Sequence, residues 1–308
     1  MATYGGEVEG PVDQTRKGTA YGACAYALWG LFPLFWPLLD PSGPAEVLAH
    51  RVLWSLLVVA VLLQAGRAWA SVRVTRSQLV RLSVAAVLLA CNWGTYIYGV
   101  DSGQVVETSL GYFINPLVSV GLGVLVLGER LRPAQRLAIG AACVAVLVMS
   151  VANGRPPWLA LVLAFSFGFY GLLKKQAGVG AVASLAVETA VLAPVAAAYV
   201  GFLVVSGGST FASHGVAHAG LLATAGVVTT VPLLAFGAAA TRVPLTTLGL
   251  LQYLAPTLQL LLATLLRHEP FGTARQIGFL LVWVALAVFT ADLVRSRRRP
   301  APAVVEPV

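Results

Sequence analysis

The sequence predicts an all-α integral membrane protein of ten transmembrane helices, arranged as two inverted five-helix repeats. Three observations lead there. The 308 residues are 58% hydrophobic and 10% charged, against roughly 25% charged residues in an ordinary soluble domain, so a soluble fold would have almost nothing polar for its surface. Ten apolar runs approach the ~20 residues that a spanning helix needs. The two halves also echo each other. Ser109 to Leu131 and Thr247 to Pro270 each open on Leu-Gly and carry one proline mid-run. In each an acid follows thirteen residues later, Pro116 to Glu129 and Pro256 to Glu269.

In chain order, residues 1–17 form a polar, acidic tail closed by Arg16 and Lys17. Residues 18–153 hold the first repeat, 154–294 the second, and 295–308 a basic tail. The expected spans are 19–39, 46–65, 80–100, 105–127 and 135–152, then 157–173, 183–205, 216–240, 244–266 and 275–293. A signal peptide would have a shorter core with a small-residue cleavage site beyond it. Here Ala23 and Ala25 lie near the start of the first run, so that run is expected to be retained.

Orientation follows from Lys and Arg in alternate connections. With the N-terminus cytoplasmic, sixteen of the 20 basic residues fall inside, among them Arg73, Arg76, Arg130, Arg132 and the Arg297 to Arg299 cluster. Arg155, Arg267 and Arg275 fall outside, and Arg51 lies at a boundary. The expected location is the inner (cytoplasmic) membrane, multi-pass, with both termini cytoplasmic. The +8 net charge is dispersed among short connections and not gathered on one face, which argues against nucleic acid as a partner.

The duplication extends past its centre. Gly99 and Gly237 each follow an aromatic residue, and Trp29-Gly30 matches Phe167-Gly168 at the same 138-residue offset. Five spans per unit is odd, so the second copy enters the membrane upside down. Inverted repeats with interrupted helices at corresponding positions are an architecture of carriers with a midplane site. An interior proline removes one backbone donor and clashes with the carbonyl four residues earlier. Pro116 and Pro256 are therefore expected as helix breaks, freeing the carbonyls of Tyr112 and Gln252, with a plain kink as the bland alternative.

Several segments carry a family pattern: Ala49-His50-Arg51-Val52-Leu53-Trp54-Ser55, Asn92-Trp93, Ser109-Leu110-Gly111-Tyr112-Phe113-Ile114-Asn115-Pro116-Leu117, Gly128-Glu129-Arg130, Glu188-Thr189, Thr229-Thr230-Val231-Pro232 and Gln252-Tyr253. Together they closely resemble the RarD branch of the EamA transporters in the drug/metabolite transporter superfamily, over roughly residues 16 to 295. The resemblance implies a ten-helix permease of two EamA repeats working as a secondary carrier, often an exporter. The second repeat departs from the Gly-Glu-Arg-Leu pattern, reading Arg267-His268-Glu269-Pro270.

Depth selects the candidate site. At 1.5 Å per residue, Asn92 lies about 15 Å into its span, near the middle of a ~30 Å core, and Asn115 reaches a similar depth from the opposite side. With Tyr112, Trp93, Tyr96, Gln252 and Tyr253 they predict a polar, uncharged substrate pocket with stacking surfaces. The alternative is that such groups glue helices together by hydrogen bonds of about 0.6 kcal/mol each. Glu46, His50 and Trp54 share one helix face, and Arg51 adjoins them, so His50 and Arg51 are gating candidates and a boundary ion pair is the alternative. Glu188 has no basic residue within a helical turn, which makes it the first proton-coupling candidate. Glu107, at the outer end of its span, is a weaker one and is expected to be solvated.

Other chemistries find little support. Cys24, Cys91 and Cys143 sit in separate apolar runs and read as free thiols. His214 and His218 lack the Glu of a zinc-binding HExxH, and no GxxxxGK[ST] loop is present, so no metal and no cofactor is expected. The leading function is a secondary active transporter of small metabolites or drugs, proton-coupled and exporting, as a monomer or homodimer in the lipid bilayer. The alternatives are an integral-membrane enzyme, for which no paired-acid or serine motif is found, and a nontransporting receptor or scaffold, which the short loops disfavour.

Overall fold

The computed structural model describes residues 11–133 and 158–266 continuously, with isolated positions within 135–147 and 280–291. Among the described residues all regular structure is helical: α1 Pro11–Gly30, α2 Pro44–Ala65, α3 Arg76–Asp101, α4 Val105–Leu125, α5 Trp158–Ala177, α6 Ala181–Ser206, α7 Gly215–Ala240, α8 Leu245–Leu251 and α9 Leu254–Leu266. Of these, α2, α3, α5, α6 and α7 are long and apolar enough to cross a membrane. The expected spans at 135–152 and 275–293 lie largely outside the described residues, as do Glu269 and Gly278. The three cysteines are free and exposed on the bundle surface.

Helix ends follow local chemistry. Pro44 opens α2 after the extended Gly43, where a missing N–H costs nothing. Gly207 closes α6 with φ 75°, its N–H returning to the carbonyls of Leu203 and Val204, as a left-handed helix cap requires. The first span is displaced from its expected range. α1 runs from Pro11 to Gly30, and Phe32–Leu34 and Trp36–Leu39 form 3₁₀ turns, because Pro33 and Pro37 each withhold the donor that a continuing α-helix needs.

The two central prolines behave differently. The chain breaks between α8 and α9 at Gln252 and Tyr253, leaving Pro256 in the first turn of α9. The break thus falls at the carbonyl with which its ring would clash. The freed Gln252 carbonyl is nevertheless occupied, accepting from Ala255 N at 3.2 Å. Across Pro116, in contrast, α4 is continuous, so the expected break there is not formed. Packing on α5 and α8 holds its two flanks in line.

Packing interleaves the halves. α1 packs on α7 and α9, α2 on α6 and α7, α3 on α5 and α6, and α4 on α5 and α8, whereas sequence neighbours such as α2 and α3 barely touch. Exchanging the first four helices for their counterparts in the second half reproduces this pairing scheme, as a duplicated unit requires. Close approach depends on glycine at several crossings, most tightly onto backbone at two of them. A side chain at Gly226 on α7 would press into the backbone of Trp54 on α2, and one at Gly249 on α8 would meet the Pro116 carbonyl at 2.9 Å.

Overpacking a filled interior costs about 1–3 kcal/mol. Gly226→Val should therefore lower the thermal midpoint of the detergent-solubilised protein by several degrees. Substitution at Gly94, where a Cβ meets nothing within 4 Å, should leave it unchanged.

Candidate functional site

A cavity of about 170 Å³ opens between α1, its trailing 3₁₀ turns, α2, α3, α4 and the α8–α9 break. At 1.5 Å per residue Arg51 lies about 10 Å along α2 from Pro44, Asn92 about 14 Å from the end of α3, and Asn115 about 15 Å along α4. Short connections bring those three helix ends to one face, so the three side chains occupy one layer. Aromatic rings form much of the wall: Tyr26, Trp29, Phe32, Trp36, Trp93, Tyr96, Tyr112 and Phe167. Gln252, Pro256 and Gln259 complete it from the second half.

The pocket is not uncharged. Arg51 lines it, with its guanidinium carbon 4.2 Å from the ring centre of Trp93, 4.8 Å from Trp36 and 5.9 Å from Phe32. Its Nε donates to Thr229 Oγ1 on α7 at 2.9 Å. No carboxylate among the described residues lies within ion-pair distance. Arg51 is also absent from the expected gate cluster, because one residue past His50 turns it about 100° around the helix.

The remaining lining groups divide into engaged and unengaged. Asn92 Nδ2 donates to the Leu163 carbonyl at 2.8 Å and to Ser166 Oγ at 3.1 Å, so it ties α3 to α5 while lining the cavity. Gln252 Oε1 accepts from Ser119 Oγ at 3.1 Å, and Tyr96 meets Tyr112 edge to face at 5.9 Å. Asn115 Oδ1 and Tyr26 Oη, both buried, have no hydrogen-bond partner among the described residues; off the lining, the same holds for His50 Nε2 and Thr230 Oγ1. Tyr253 is not on the wall. It is 1% exposed and its hydroxyl donates to the Phe113 carbonyl at 3.3 Å, fastening the α8–α9 break to α4.

Sequence reasoning missed part of this wall. Trp29 and Phe167, repeat-related by their 138-residue offset, meet edge to face at 5.7 Å. That offset was the available signal. Pro33 withholds the donor that the Trp29 carbonyl would need, and Gln259 Nε2 supplies one at 3.3 Å. The Trp29 carbonyl, left without a donor by Pro33, is thus satisfied by a side chain of the second half.

Four glutamates lie off the cavity wall and each is hydrogen-bonded: Glu46, Glu107, Glu129 and Glu188. Glu188 is buried and takes Lys174 Nζ at 2.6 Å, Ser184 Oγ at 2.6 Å and Tyr170 Oη at 3.2 Å. Lys174 comes from α5 across the tight α5–α6 connection, beyond the reach of a one-turn search along α6. Glu107 is buried, not solvated, and accepts Leu159 N at 2.8 Å, capping α5. Glu129 accepts Leu245 N at 2.7 Å and Thr246 N at 2.9 Å, capping α8. Glu46 accepts both the N and the hydroxyl of Thr210 at 2.8 Å, and His50 stacks on Phe211 at 4.8 Å, so this pair pins the single turn Thr210–Ser213. A second gap of about 10 Å³, apolar on its surface, is lined by residues including Arg51 and Glu188.

The chain matches the EamA-like transporter family over residues 16–151. It is 55% identical over 290 residues to the protein RarD of Streptomyces exfoliatus, covering 93% of this chain and 92% of that protein. It is 44% identical over 291 residues to an uncharacterized transporter of Pseudomonas aeruginosa, covering 93% of this chain and 98% of that protein. A solved crystal structure shares the fold at TM-score 0.69 and 19% identity, covering 91% of this chain and 99% of that chain.

Because Glu129 satisfies the opening N–H groups of α8, Glu129→Ala should destabilise the protein by the ~0.5–2 kcal/mol of a lost cap. A thermal scan in detergent reads this directly, with Glu129→Gln falling between the two.

Proposed function

Because the chain belongs to the RarD branch of the EamA-like transporter family, we propose that it is a secondary active carrier that exports small metabolites or drugs in exchange for protons. The observation that carries this reading is the mid-depth cavity, walled by side chains of both halves and lined by Arg51. Cargo enters between the halves, which then rock so that the cavity opens to one side of the membrane and then the other. Both termini stand on the cytoplasmic side of the inner membrane, as the basic residues favour.

The moving parts follow from the packing. Toward the bundle interior the cavity ends on a ring cluster in which Phe236 stacks on Tyr170 at 5.5 Å and meets Trp29 at 5.8 Å. Rocking has to part these rings. The α8–α9 break is the natural place for backbone angles to change, since hinges are element-terminal residues that absorb such changes.

Proton coupling is assigned to the Lys174–Glu188 pair. Removing one charge of a buried pair leaves the other uncompensated at a cost of about 3–5 kcal/mol, enough to bias one arrangement of the helices over another. A proton on Glu188 has this effect. That Arg51, on the cavity wall, and Glu188 line one small gap supports this reading.

Cells lacking the protein and cells overproducing it should differ in the ratio of extracellular to intracellular metabolites for at least one small solute. Identical profiles contradict the carrier reading. In proteoliposomes holding a pH-reporting dye, a metabolite extract should shift the internal pH with the unsubstituted protein and not with Glu188→Gln; an equal shift with both removes Glu188 from the coupling.

A further inference from the structure

Within the carrier reading, on which this inference rests, the least explained group is Arg51. A guanidinium has five N–H donors, and among the described residues only Nε has an acceptor, Thr229 Oγ1. Its neighbours are the faces of Trp93, Trp36 and Phe32. Cation–π contact returns about 0.5–2 kcal/mol per desolvated site, well below the several kcal/mol that withdrawing a charge from water costs. A planar fork with four free donors beside an aromatic-walled cavity is built for bidentate pairing with a carboxylate.

Size and charge narrow the partner. The cavity of about 170 Å³ is close to the ~150 Å³ engineered cavity that accepts one benzene ring, so the cargo is of single-ring size. The described lining holds one cation and no carboxylate, so it neutralises one negative charge and offers no counter-ion to an ammonium. Eight aromatic rings supply stacking faces.

We propose that the cavity takes a small aromatic monocarboxylate, its carboxylate forked onto Arg51 and its ring stacked between the tryptophans. Neutral and cationic molecules of the same shape are discriminated against, because they leave the guanidinium unpaired or repel it. The three planar isosteres benzoate, benzamide and benzamidine isolate this charge term.

Isothermal titration of the detergent-solubilised protein should show benzoate binding at least about tenfold more tightly than benzamide, a difference of ~1.4 kcal/mol, and benzamidine not binding. Arg51→Gln should abolish that preference, with Arg51→Lys intermediate, having charge without the fork. Absence of saturable benzoate binding, equal binding of the three isosteres, or a benzoate preference that survives Arg51→Gln overturns the proposal. The isostere comparison decides the matter alone if the substituted protein does not fold. Arg51-dependent benzoate binding without uptake of labelled benzoate into proteoliposomes supports this site and counts against the carrier reading. Transport of other solutes with no preference for the anion leaves the carrier reading standing and removes the site.

Discussion

Inside a bilayer no water reaches a helix end or a side-chain charge, and a polar group withdrawn there must find its partner within the protein. Three glutamates of the first half meet this demand for the second. Glu107 caps α5, Glu129 caps α8, and Glu46 holds the turn at Thr210. Each carboxylate also gains from the partial positive charge at a helix start. The helix ends of one half are thus finished by the acids of the other, in step with packing in which α1 to α4 touch α5 to α9 more than each other. A bundle joined in this way has two interlocked halves and one seam.

Along that seam the rule is relaxed at the cavity, as it also is at His50 and Thr230 beyond its wall. Arg51, Asn115 and Tyr26 converge on a cavity without completing their pairing, whereas Lys174 and Glu188 nearby are fully matched. Unpaired polar groups inside lipid are expensive, and three residues that carry them line one aromatic-walled cavity. A small gap with an apolar surface lies between the incomplete cluster and the complete one, lined by residues of both.

Much of the helical frame was legible, because apolar runs and proline or glycine punctuation act locally. Residues 216–240 and 183–205 differ from α7 and α6 by no more than two residues at either end. What failed was non-local. Lys174 counted as a topology signal is a buried ion-pair partner, and Glu188 counted as unpaired is its mate, because the contact crosses a helix hairpin. Glu107 at a span end looked solvated until α5 was laid against it. The prolines show the same limit: Pro256 breaks its helix one turn upstream, Pro116 does not, and Pro33, passed over in a run read as continuous, ends α1. For the site, Asn92, Trp93, Tyr96, Tyr112, Asn115 and Gln252 are brought to one cavity, while Tyr253, His50, Glu188 and Glu107 stand away from its wall. Arg51 joined them because helix phase, and not position along the chain, decides which face a residue serves.

The central claim is that the seam around Asn115 opens to each side of the membrane in turn. The direct test places one cysteine at Asn115 in a protein whose Cys24, Cys91 and Cys143 are replaced, then applies a small membrane-impermeant anionic thiol reagent to either face of oriented membrane vesicles. The account predicts labelling from both faces, slowed from both by bound cargo. Labelling from one face only, under every pH gradient applied, would contradict it.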